Sequence, residues 1–124
     1  MRSVHKAAAA LLLLVMAAQM FLAASGAAGR DFGPHRALGY VTFVLPLLVA
    51  VVAAAARQPR RQLLLPVAIA VLVSIQVLIA KIAENMDDTA GHYVFGLHGL
   101  VGMLVLALAG AVAADAIRPQ RSSA

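Results

Sequence analysis

A chain of 124 residues that is 63% hydrophobic and 12% charged has too much apolar surface to hide in a soluble core of its size. It contains no cysteine, which excludes disulfides, c-type haem attachment and iron–sulfur ligation. Its net charge of +5 comes without a continuous basic patch, so the expected partner is the lipid bilayer and not nucleic acid.

Four stretches lack Asp, Glu, Lys and Arg: 7–29, 37–56, 62–80 and 89–114. Each is close to the roughly 20 residues that a helix needs to cross the hydrocarbon core. The expectation is an all-α, integral membrane four-helix bundle, one domain over 1–124, with helices at about 7–25, 34–56, 62–82 and 90–116.

Helix one follows Arg2 and Lys6, and His5 falls in the polar tail before it, where no role is assigned. Its basic start, apolar stretch and trailing small residues also fit a secretory signal. The length of the apolar stretch and the presence of Gln19 favour an uncleaved helix. Gly26, Gly29 and Gly33 break the chain before Pro34, which suits the first turn of helix two. Pro46 lies mid-helix and is expected to kink it. "RQPRR" at 57–61 forms a tight turn, Pro66 lies near the start of helix three, and "ENMDDTAG" at 84–91 leads into helix four. Lys81 and Glu84, at spacing i, i+3, read as a solvated pair.

The basic residues set the orientation. Arg2, Lys6, Arg57, Arg60, Arg61, Arg118 and Arg121 fall on one side, and only Arg30, Arg36 and Lys81 on the other. By the positive-inside rule both termini are cytoplasmic, in a multi-pass protein of the cell (inner or plasma) membrane. Tyr40 and Tyr93 then sit near the outer interface, where amphipathic aromatics belong.

A weak internal repeat is present. "QMFLA" at 19–23 resembles "QVLIA" at 76–80, which predicts two hairpins in the same orientation. Each hairpin carries histidine on its second helix. In "GPHRALGY" (33–40) and "FGLHGLVG" (95–102), His35 and His98 each precede a glycine, Gly39 or Gly102, by one turn. An ionisable residue at membrane depth is a functional candidate.

Two histidines from different helices are what a bis-imidazole haem requires, and helix bundles build cofactor sites in this way. Haem b between helices two and four is therefore the expected cofactor, with His35 and His98 as axial ligands to the iron. Gly39 and Gly102 would offer bare backbone for a flat ligand, or else simply let helices approach. Arg36 would meet a propionate, or snorkel to the interface. Zinc is disfavoured because the chain has no His-x-x-x-His or His-x-x-Glu-His spacing. Gln19 and Gln76 would serve as interhelical hydrogen-bond donors or contact the ligand. His92 rivals His98: it stands 57 residues after His35, the offset that relates Gln76 to Gln19 (76 − 19 = 57). Depth favours His98, since His92 falls in the headgroup zone beside Tyr93. The two are six residues apart and do not share a helix face.

"FLAASGAAGRDFGPHRALGY" and "VFGLHGLVG" resemble an uncharacterised family of small four-helix bacterial membrane proteins, over nearly the whole chain. More distantly, the pattern is similar to one four-helix half of haem A synthase and to cytochrome b-like bundles. That resemblance implies haem ligation by His35 and His98. It departs where the enzyme has a glutamate three residues before its loop histidine; here Phe32 stands there, with Asp31 one residue earlier. A single bundle of this kind implies haem binding without oxygen-dependent haem oxidation, and no catalytic residue is assigned. The expected function is a b-type cytochrome-like protein for electron transfer or haem handling, with a membrane redox partner. The alternative is a packing or assembly subunit that carries no cofactor.

Overall fold

The computed structural model describes residues 1–118, without the side chain of Asp88; Arg121 lies outside the described residues. It contains four helices: α1 (Arg2–Ala27), α2 (Gly33–Ala55), α3 (Arg60–Glu84) and α4 (Asp88–Ile117). Each is long and apolar enough to cross a membrane.

Local chemistry sets the breaks between helices. Past the end of α1, Gly29 takes φ 91°, a left-handed conformation that glycine adopts at no steric cost. Pro34 sits in the first turn of α2, where its missing N–H leaves nothing unsatisfied. The second turn places Arg57 at φ 53° before Pro59 opens α3. Asp87 caps α4 by accepting from the Ala90 N–H at 2.9 Å. Pro46 and Pro66 are buried inside helices that run on without interruption.

The helix that departs most from expectation is α1, which begins at Arg2 and so includes His5. The polar tail is helical because His5 continues the buried face formed by Ala9, Leu12 and Met16 at helical spacing. Arg2 and Lys6 lie off that face and stay exposed.

The helices pack in a ring, each against the one before and the one after, with α1 also meeting α4. The diagonals, α1 with α3 and α2 with α4, do not approach through their backbones. Leu12, Val49, Ile69, Val105, Ala109 and Val112 are among the residues that fill the centre. Large apolar side chains such as Phe21, Tyr40, Leu48 and Leu100 point outward. In water such a surface would be an aggregation hazard, whereas in lipid it is the normal outer face.

The buried positions reveal the repeat. On α1 they are His5, Ala9, Leu12, Met16 and Gly26; on α3, Gln62, Pro66, Ile69, Val73 and Ala83 are buried 57 residues later in each case (62 − 5 = 57). Buried Thr42, Pro46, Val49 and Ala53 of α2 correspond to Val105, Ala109, Val112 and Ala116 of α4, but 63 residues later (105 − 42 = 63). The bundle thus has an approximate two-fold axis along its length. The six additional residues fall between Glu84 and Phe95, where α4 starts about two turns before the point that matches the start of α2.

Candidate functional site

The offset of 63 pairs His35 with His98 (98 − 35 = 63), and the structure brings these two residues together. Their rings meet across the diagonal between α2 and α4, edge-on, with centroids 6.2 Å apart and an interplanar angle of 71°. His92 lies on the exposed side of α4 and lines a separate hollow of about 220 Å³ with Glu84, Asp87 and Phe95. The 57-residue arithmetic that would select it fails because the second connection is longer.

Each histidine is held by the glutamine of its own hairpin through a reciprocal pair of hydrogen bonds. The Gln19 amide donates to the His35 carbonyl at 2.9 Å, and His35 Nδ1 lies 3.2 Å from the Gln19 carbonyl. In the second hairpin Gln76 donates to the His98 carbonyl at 2.8 Å, and His98 Nδ1 lies 3.0 Å from the Gln76 carbonyl. A backbone carbonyl can only accept, so Nδ1 must carry the proton in both rings. Among the described residues neither Nε2 has a hydrogen-bond partner. In the neutral rings both are bare lone pairs.

A phenylalanine one turn earlier packs on each ring: Phe32 on His35 at 6.1 Å between centroids, and Phe95 on His98 at 5.4 Å. Phe32 also fills the space where a side chain at Gly26 would stand. Together these residues spell a motif, Phe-Gly-x-His-x-x-x-Gly, at 32–39 and again at 95–102. It contains the 63-residue register directly, and it is the signal that distinguishes His98 from His92 without any argument from depth.

The glycines are not bare. A Cβ at Gly102 would meet the Gln76 amide at 3.0 Å and the Met20 sulfur at 3.4 Å; one at Gly39 would meet the Gln19 amide at 3.7 Å. Gly102 makes room for the Gln76 amide that reaches the His98 carbonyl, whereas a side chain at Gly39 would be in ordinary contact with the Gln19 amide. Gly99 faces open space and lies outside the site. Arg36 is exposed at the rim and pairs with Glu84 of α3 at 4.0 Å, so Glu84 is not the partner of Lys81. Asp31 accepts from the Gly33 N–H at 2.9 Å and shapes the turn.

The opposite end of the axis holds a second polar pair, to which no feature of the sequence had pointed. His5, 1% exposed, lies 2.7 Å from the Gln62 side-chain oxygen across the α1–α3 diagonal. The Gln62 amide nitrogen donates to the Asp115 carbonyl at 3.1 Å. That leaves its oxygen as acceptor, so His5 Nε2 is the donor. Arg61 and Arg118 flank the Asp115 carboxylate at 3.3 and 3.5 Å.

Among the described residues no three His, Asp or Glu side chains are grouped so as to hold a metal ion on their own. In the comparison with known families, residues 19–84 match DUF6220, a family of unknown function. The chain belongs to the DUF6220 family. The matched segment of this DUF6220 protein spans Gln19, His35 and Gln76, three of the four residues in the two reciprocal pairs, and stops before His98. No curated protein and no solved structure matches the chain.

Proposed function

We propose that this is an integral membrane protein that binds haem b between α2 and α4, where His35 and His98 would hold the iron, for electron transfer or haem handling. The observation that carries this reading is a pair of imidazoles with both Nδ1 committed to backbone carbonyls, 6.2 Å apart across the bundle axis. Metal-bound histidines characteristically donate their other ring N–H in this way, which fixes the tautomer and orients the ring. The donor set also fits in number, since a porphyrin supplies four nitrogens and needs two more.

Bound haem would supply one-electron exchange at the iron. The chain's own part is to present two neutral imidazoles, hold them by Gln19 and Gln76, and cover them with Phe32 and Phe95. Arg36 supplies a cation at the rim for a carboxylate.

The test is the absorbance spectrum of protein purified from haem-replete cells. A Soret band with low-spin character, lost in His98→Ala while the protein still inserts, is the expected result. The second reading, a cofactor-free packing or assembly subunit, draws on the glutamine amides, which close the glycine faces and link the helices of each hairpin. A colourless full-length protein would establish it.

The histidine-pair end faces outward in this proposal. Arg2, Lys6, Arg57, Arg60, Arg61 and Arg118 gather at the His5 end, and the positive-inside rule places that end in the cytoplasm. Reporter fusions at Ala124 and within 87–91 test this, and an external carboxyl terminus would overturn it.

A further inference from the structure

We infer that Gln19 and Gln76 are positioning residues that preset both histidines in one tautomer, so that the site presents two bare Nε2 lone pairs before any ligand arrives. The inference rests on the haem reading only for what finally occupies the site; the tautomer belongs to the empty protein.

Bonding capacity sets the tautomer. A neutral imidazole has one donor and one acceptor, and in a bilayer either tautomer is open to a ring without a fixed neighbour. Here each Nδ1 faces an acceptor-only carbonyl at hydrogen-bond distance. That geometry persists only while the two helices of a hairpin keep their mutual register. The glutamine side chain holds the register by bonding the carbonyl of the same histidine. The ring and the backbone of one residue are thus tied to the backbone and the side chain of the other. The arrangement occurs twice, once in each hairpin, so each hairpin carries a complete half-site.

Two acceptors brought together across an axis have no favourable direct contact. Each is left free to accept from a donor or to bind a metal. At the other end of the axis the facing residues are a donor and an acceptor, and they close on one another directly.

The two half-sites differ in one respect. Gln19 Oε1 is buried without a donor, and Gln76 Oε1 is not. The Gln76 amide is also the more tightly seated, at 3.0 Å from a Cβ on Gly102 against 3.7 Å for Gln19 and Gly39. The second hairpin therefore depends more on its glutamine.

Nitrogen-15 NMR of histidine-labelled, haem-free full-length protein in lipid nanodiscs tests this. His35 and His98 should both show a protonated Nδ1 and an unprotonated Nε2. Gln76→Leu should bring up an Nε2–H form of His98 at comparable intensity while His35 stays unchanged. Gly102→Ala, which displaces the amide without removing it, should do the same in weaker form, and Gly39→Ala should not. Gln62→Leu, which loosens the opposite end, should leave both tautomers as they were and so controls for general destabilisation. An Nε2–H tautomer in either wild-type ring overturns the inference, as does a His98 tautomer that Gln76→Leu and Gly102→Ala leave unchanged. A missing Soret band would overturn the haem reading and leave this result standing.

Discussion

At one end of the bundle axis, His5 and Gln62 meet across the α1–α3 diagonal at 2.7 Å. At the other, His35 and His98 meet across the α2–α4 diagonal with 6.2 Å between ring centres and no hydrogen bond between them. The two ends share the same approximate symmetry but not the same surroundings: His5 is fully buried, whereas the outer pair is half-buried under Phe32 and Phe95. The difference lies in what each side chain has left to offer. His5 still has an N–H for Gln62. The outer histidines have given theirs to Gln19 and Gln76, and only lone pairs remain. At the inner end one ring nitrogen closes directly on the facing side chain and acts as interhelical adhesive, although His5 Nδ1 stays buried without a partner. At the outer end neither ring bonds the other, and that pair is the candidate for a third participant.

Replacing one histidine at each end gives the largest expected effects. His98→Ala should abolish any low-spin haem spectrum outright, because one axial ligand is gone. His5→Ala should leave the spectrum unchanged and destabilise the bundle by about 1–3 kcal/mol, since it strands the buried Gln62 oxygen. Spectra and unfolding in mixed detergent separate the two outcomes. A spectrum that tracks His5 and ignores His98 would reverse the assignment of the two ends.

Asp115 sharpens the contrast at a smaller scale. Its side chain is only 10% exposed, between Arg61 and Arg118. Asp115→Asn should cost about 1–2 kcal/mol, because both arginines are well exposed and water screens much of the attraction. The same unfolding assay reads it, and the spectrum should not move. No change in stability would mean that the two arginine contacts contribute nothing net and that the His5 end rests on packing and on the Gln62 hydrogen bonds.

The helices were legible in the sequence because an apolar, charge-free stretch of spanning length is at home in a bilayer and almost nowhere else; α2, α3 and α4 followed closely. The start of α1 was concealed, because Arg2 and Lys6 mark a membrane boundary while His5, between them, turns inward. The histidine pairing was half legible. "QMFLA" and "QVLIA" carry an offset of 57, which holds for α1 and α3 and fails after the longer second connection. The Phe-Gly-x-His-x-x-x-Gly motif at 32–39 and 95–102 already held the correct register. What fills a glycine's empty side could not be read, because the Gln19 and Gln76 amides come from another helix. Asp115 gave no signal as a partner of the Gln62 network, since 53 residues separate them.

The rim of the histidine-pair end should matter least to stability. Arg36 and Glu84 approach to 4.0 Å with side chains 74% and 54% exposed. An ion pair this long and this wet gives up in side-chain ordering much of what it gains in attraction, so Arg36→Ala should change unfolding stability by less than about 0.5 kcal/mol. The two histidine–glutamine pairs lie below it on the bundle axis and do not use the guanidinium, so the tautomers of His35 and His98 should also persist. If Arg36 meets a haem carboxylate, the substitution should speed haem loss without changing the low-spin character of the spectrum, because both iron ligands remain. A stability loss above about 1 kcal/mol would instead mean that the α2–α3 rim contact keeps this end closed. The separation of the outer histidines would then follow from surface electrostatics, not from the bonding capacity of their rings.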